Sequence, residues 1–224
     1  NKVTNENGAQ DIKVKMIVTL NGSEAEFEME VDNRTDFPIA EAWFPVFGGL
    51  KGIRDRLKTE LIHADGAGGM PYKGIFKTFP ATMPWTNINP TVFMNYPEIM
   101  PMPWLDIHNG DEGFYIGSHT ELQVTTFLFQ LLPLSTPDLN WPSEDLLPKG
   151  MPSGLLMSVI RHPFQRRGIW KSGTTVCMLH KGDWHAGARR YREWVDTWME
   201  IPDAPEWFKE CDAWQNLIFM ANNG

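Results

Sequence analysis

Apolar and polar positions alternate near the start of the chain. Ile12, Val14, Met16, Val18 and Leu20 take every second place. After Asn21-Gly22 the same period runs through Ala25, Phe27, Met29 and Val31, interleaved with Glu24, Glu26, Glu28 and Glu30. A period of two marks a half-buried strand, and Asn-Gly between two such runs signals a hairpin, because a type I′ turn needs positive φ at both centres. With Asn21 and Gly22 as the turn, Val14 is expected opposite Met29 and Met16 opposite Phe27 on the inner side. On the outer side Lys15 then faces Glu28 and Lys13 faces Glu30, so one register serves both core and charge.

Further strand-like runs lie at 40–47, 57–64, 113–118, 122–132, 155–161 and 174–179. Many strands and few helical stretches predict a mainly β chain, an antiparallel β-sandwich rather than a parallel α/β sheet. The period changes after Gly182. Asp183 is a good N-cap, and Trp184, Ala188, Tyr191, Val195 and Trp198 fall on one face at helical spacing, with Arg189, Arg190 and Arg192 turned mostly away. The apolar run 214–220 reads as a buried strand. Between residues 65 and 109 no period is evident, and a long irregular stretch rich in Gly, Pro, Met and Trp is expected; segments of this kind inside a compact domain are usually functional or disordered. Its aromatic residues disfavour disorder. A second Pro-rich connection, 133–152, reads as a surface excursion, and the glycine cluster at 66–69 reads as a turn.

The 224 residues are enough for a sizeable core, and 42% hydrophobic with 21% charged residues is a globular composition. A net charge of −8 argues against nucleic acid or an anionic membrane as the main partner, since both need a basic surface. No run approaches a membrane span. The two cysteines, Cys177 and Cys211, lack the spacing of a disulfide framework or a metal site and are expected to be free and buried. Ten tryptophans and thirteen phenylalanines suit a heavily packed β core. They suit equally a sugar-binding surface, where flat rings meet the apolar faces of pyranoses.

Catalytic signatures are absent from the sequence. The six histidines are scattered, without His-x-x-x-His or His-x-Glu spacing, so no metal and no cofactor are expected. There is no Gly-x-Ser-x-Gly elbow and no P-loop. Glycoside hydrolysis needs two carboxyl groups about 5–10 Å apart, and the spacing of Glu98, Asp106, Asp111, Glu112 and Glu121 nominates no pair. A binding constellation remains, with Trp85, Tyr96, Met102, Trp104, Asp106 and His108 as candidate substrate-binding residues on an extended loop over 85–108. Core packing explains each of them singly; together they describe an aromatic platform with hydrogen-bonding Asp and His for a carbohydrate.

Tyr96-Pro97, Met102-Pro103-Trp104-Leu105-Asp106 and Gly113-Phe114-Tyr115-Ile116-Gly117-Ser118-His119 carry a likeness. So do Arg161-His162-Pro163, Gly168-Ile169-Trp170, Gly182-Asp183-Trp184-His185, Tyr191-Arg192-Glu193-Trp194 and Pro205-Glu206-Trp207. The pattern resembles the N-terminal galactose-mutarotase-like β-sandwich of a group of bacterial glycoside-hydrolase-like proteins, in which the sandwich precedes a (β/α)₈ barrel laid out as in α-galactosidases and family 31 enzymes. Two positions depart from it: Pro103 stands where a Gln is expected, and Thr120 where an Asp is expected.

The resemblance implies a sandwich domain over 1–181, then a linker helix and the start of a barrel over 182–224. In barrel enzymes catalytic residues stand at the C-terminal ends of the strands, so none is expected in this chain. The implied function is that of a non-catalytic accessory domain of a carbohydrate-active enzyme. It would pack on a catalytic barrel of the same polypeptide and lend the aromatic loop to the rim of its active site, with carbohydrate as partner. A free-standing carbohydrate-binding module, an epimerase using His108 or His119 with a Glu, and a purely structural domain are the rivals. Compartment stays open, secreted and periplasmic locations included.

Overall fold

The computed structural model describes residues 3–6, 8–64, 70–78, 91–121, 123–132, 154–200 and 202–211. The 66–69 turn, Trp85, the 133–152 excursion and the 214–220 run lie outside them. The strands are β1 (Thr4–Asn5), β2 (Gly8–Ala9), β3 (Ile12–Asn21), β4 (Glu24–Asn33), β5 (Ala42–Leu50), β6 (Glu60–His63), β7 (Met70–Tyr72), β8 (Thr91–Tyr96), β9 (Trp104–His108), β10 (Glu112–His119), β11 (Thr125–Leu132), β12 (Gly154–Arg161), β13 (Gly168–Lys171) and β14 (Thr174–Lys181). The helices are α1 (Ile75–Thr78), α2 (His185–Val195) and α3 (Glu206–Lys209).

Two antiparallel sheets pack face to face. The larger runs β3, β4, β14, β10, β9, β6, β7, with β13 beside β14 on the inner edge of β4; the smaller runs β5, β12, β11, β8. Leu61, Leu105, Ile107, Ile116 and Cys177 from the first meet Met94, Phe127, Phe129, Leu155, Met157 and Val159 from the second in one buried cluster. The fold is a mainly β antiparallel sandwich, as the strand pattern predicts.

The hairpin forms with its register displaced by two. Asn21 pairs with Glu24, and Gly22-Ser23 make the turn, with Gly22 at φ +60°. Met16 therefore faces Met29, Val18 faces Phe27, and Lys15 faces Glu30. A slip of two leaves every side chain on its expected face, and it lengthens the ladder by one pair. A second difference concerns burial. β3 is the outermost strand, and although Phe44 of β5 packs against the Met29–Val31 part of β4, Val14, Met16, Val18 and Leu20 remain 43–77% exposed.

β13 and β14 form one line along β4 with an extra residue between them. Lys171 pairs with Glu30 and Thr175 with Phe27, so three residues on one strand oppose two on the other. This is a β-bulge. Ser172 repairs the ladder, because its hydroxyl accepts the Met29 N–H at 2.8 Å while its own N–H donates to the Met29 carbonyl at 2.8 Å. Gly173 sits at φ +68° with Thr120 against its α-carbon, a place that L side chains avoid.

The stretch expected to be irregular contains β7, α1, β8 and β9 among its described residues. β9 is buried on both faces, and its apolar–polar alternation spans only five residues, too short to stand out from the Pro- and Met-rich segment before it. The 57–64 run is also shorter than expected, since Arg56–Lys58 forms a 3₁₀ turn capped by Asp55 before β6 begins. Cys177 is buried as predicted; Cys211 is exposed, contrary to expectation, because it follows α3, which has no buried residue.

One buried cation crosses the core. Arg161, fully buried on β12, donates to the hydroxyls of Ser118 (2.7 Å), Thr125 and Thr175 (3.1 Å). Burial lowers its pKa to about 10.

Candidate functional site

The face of the large sheet turned away from the core is covered by α2. Strand register arranges that face in rows: Ile62, Asp106, Tyr115 and Met178 in one, and Glu60, His108, Gly113 and His180 in the next. α2 begins one residue later than expected, with Trp184 at its N-cap position, and Asp183 Oδ1 accepts the His185 N–H at 3.1 Å from the preceding turn. Tyr191, Trp184, Ala188, Trp194 and Val195 then pack on Ile62, Ala64, Trp104, Tyr115 and Val176. Arg190 anchors the helix to β4 through a two-pronged contact with Glu24 at 2.7 and 3.0 Å.

Gly187 brings the helix backbone onto the sheet. A Cβ there would stand 2.5 Å from Asp106 Oδ2 and 2.8 Å from Tyr115 Cδ2. Beneath it, Asp106 Oδ2 accepts from His180 Nε2 at 2.7 Å, the two side chains being 0% and 5% exposed. Burial opposes charge on His180, but the hydrogen bond and charge of Asp106 outweigh it, and its pKa is raised. The Lys181 carbonyl, 3.4 Å from Nδ1, acts in the same direction. Both ring nitrogens of His180 thus face oxygen acceptors, an arrangement that favours the protonated ring.

Towards the other end of the helix the face closes with rings. Tyr115 reaches the His119 Nε2 at 2.9 Å, and His119 stacks on Trp194 at 4.9 Å with 18° between planes. Burial, with Arg190 nearby, lowers the His119 pKa to about 3.

Along the helix a cleft of about 890 Å³ opens between α2 and the strands β6 and β9. Sites for small ligands usually measure ~300–1,000 Å³. Trp104 and Trp184 stack within it, 6.5 Å apart and 15° from parallel. Met102, His108, Glu60, Lys73, Asp183 and Arg192 share the lining. Three buried atoms here have no hydrogen-bond partner among the described residues: Trp104 Nε1, Asp106 Oδ1 and His108 Nδ1. Buried polar atoms are seldom left so, and all three belong to alternate residues on one face of β9.

The structure thus brings together Met102, Trp104 and His108 in the cleft, with Asp106 directly behind it. Tyr96 lines a separate depression at the edge strand of the small sheet. The 85–108 segment is therefore not one loop: its described part is divided between β8 and β9, in opposite sheets. Trp184, Glu60 and His180 are the site residues that sequence reasoning missed. Trp184 reads from sequence as helix packing alone, and Glu60 and His180 become visible only once β6 and β14 are aligned with β9. Among the described residues no group of three or more His, Cys, Asp or Glu side chains is placed to hold a metal ion. No protein-family model matches the chain, and no curated protein matches it in sequence.

Proposed function

We propose that this chain is a non-catalytic carbohydrate-binding domain that serves a carbohydrate-active enzyme, with a sugar held in the cleft between α2 and β9. The observation that carries the reading is the stacked Trp104–Trp184 pair beside three unpartnered buried polar atoms. Indole faces meet the C–H faces of a pyranose, and hydroxyls, which both donate and accept, suit the indole N–H of Trp104 and the imidazole nitrogen of His108, the two of these residues that line the cleft. The accessory role, with a catalytic barrel as neighbour, rests on the resemblance described above.

Titration of the full chain with soluble oligosaccharides, followed by tryptophan fluorescence, tests the cleft. A saturable change that Trp184→Ala removes supports the reading. A flat response to every sugar, with the fold intact, overturns it and leaves α2 as structural packing. The accessory role has its own test, addition of this chain in trans to a barrel-only enzyme, and unchanged hydrolysis counts against it.

A further inference from the structure

The depression that holds Tyr96 shares no residue with the helix cleft and is built differently. It measures about 370 Å³. Three segments line it: Asn95 to Glu98 at the end of β8, Val124 and Thr126 at the start of β11, and His162 with Phe164 just past β12.

A chain of hydrogen bonds runs through it, and its direction is set at the carboxylate. Ionised Glu98 only accepts, so Asn95 turns Nδ2 toward Glu98 Oε2, 3.1 Å away. Asn95 Oδ1 is then the acceptor for the Thr126 hydroxyl at 2.8 Å. That hydroxyl has one proton to give, so it accepts from His162 Nε2 at 2.8 Å. In the neutral ring His162 then carries its proton on Nε2 and its lone pair on Nδ1, for which the described residues supply no donor.

Phe164 makes the wall. Its ring stacks on His162, 6.1 Å between centroids and 18° between planes. It is nevertheless 71% exposed, and its backbone sits at φ +46°. A bulky residue in the left-handed region destabilises the fold, and glycine would not. An aromatic ring kept in solvent at a strained position adds little to folding; observed strain of this kind points to use in binding.

The polar atoms free in this groove, Glu98 carboxylate oxygen and His162 Nδ1, are acceptors, so the ligand must donate. The wall beside them, Phe164, is flat and apolar, whereas the Tyr96 ring packs toward the core. We propose that this groove is a second binding site, for a hydroxyl-bearing ring of the pyranose type, which lays its C–H face on Phe164 and donates hydroxyls to His162 Nδ1 and Glu98. The site stands independently of the helix cleft.

The test uses the full chain, isotope-labelled in its histidine and phenylalanine rings, titrated at neutral pH with xylotriose, cellotriose and galactobiose. The free protein is expected to show the Nε2–H form of His162. At least one saccharide should then shift the His162 and Phe164 ring signals saturably. Phe164→Gly should abolish those shifts while Tm stays level or rises, and the fluorescence response that depends on Trp184 should persist. Four results overturn the proposal: an Nδ1–H form of His162, no shift with any of the three sugars, shifts produced by tetramethylammonium instead, or unchanged binding by Phe164→Gly. Because the two readouts sit in different pockets, failure here is distinguishable from failure of the cleft.

Discussion

Helix α2 lies over two histidines on one face of one sheet, and their surroundings drive them in opposite directions. His119 is closed in by Tyr115, Tyr191 and Trp194, and burial with a nearby arginine keeps it neutral. His180 has Asp106 at 2.7 Å, which favours its charged form against burial, and its pKa is raised. One end of the interface is thus sealed by rings. The other contains a salt bridge and three buried polar atoms without a hydrogen-bond partner among the described residues, and the cleft runs along the helix beside both ends. The contrast is physical: aromatic packing leaves no polar group behind, whereas the charged end buries polar atoms that have no hydrogen-bond partner among the described residues.

The contact most sensitive to change is the one both ends depend on. Gly187→Val would push a branched side chain into Asp106 and Tyr115, and the helix must lift. A stability loss toward the upper end of about 1–3 kcal/mol is expected for such overpacking, measurable by urea unfolding, with the tryptophans of the interface becoming solvent-exposed.

Asp106→Asn breaks only the charged end. It should cost about 2 kcal/mol, the order for a hydrogen bond to a charged group, when measured below pH 6.5, the ordinary histidine value. The sign follows from the raised pKa of His180. Its contribution is fully present below 6.5 and is lost as pH rises through the folded-state value. Wild-type protein should therefore lose stability on the alkaline side of 6.5, and the variant should lose that limb.

His119 supplies the opposite limb. Its folded pKa of about 3 lies under the ordinary 6.5, so its contribution is present above 6.5 and is lost as pH falls toward 3. His119→Phe should flatten that acid limb. At neutral pH it should cost only about 1 kcal/mol, for the Tyr115 hydroxyl left without its partner. Thermal melts across pH give both limbs, and a wild-type curve with neither would break the comparison.

The smallest effect is expected at the cleft rim. Arg192 is 82% exposed and pairs with Asp196 at 3.6 Å, an arrangement worth about 0–1 kcal/mol at most. Arg192→Gln should leave the melt unchanged, and any effect should appear in the sugar titration alone.

The hairpin and the Asp183 helix were legible because each has one solvated face, which imposes a period on the sequence. β9 was hidden for the opposite reason. With α2 on one side and the core on the other, Leu105 and Ile107 alternate with Trp104, Asp106 and His108, but the pattern spans five residues and a tryptophan interrupts its polar face. The i, i+2, i+4 spacing of those three residues was nevertheless the available signal that they share a strand face. Trp184 and His180 lie about 80 residues from β9 in sequence, and only strand register brings them to it. Tyr96, placed by sequence with its neighbours, left them because its strand joined the other sheet.

The extra residue at Ser172–Gly173 sets the phase of the chain that follows. Downstream of it Val176 and His180 look toward the helix and Cys177 toward the core. Removing one residue there, with β13 held on β4, would turn the next strand over, presenting a thiol to Asp106 and sending an imidazole into the sandwich. This connection therefore behaves like a coding frame: its length tolerates change only in steps of two, a constraint stricter than any on the identity of a single side chain within it.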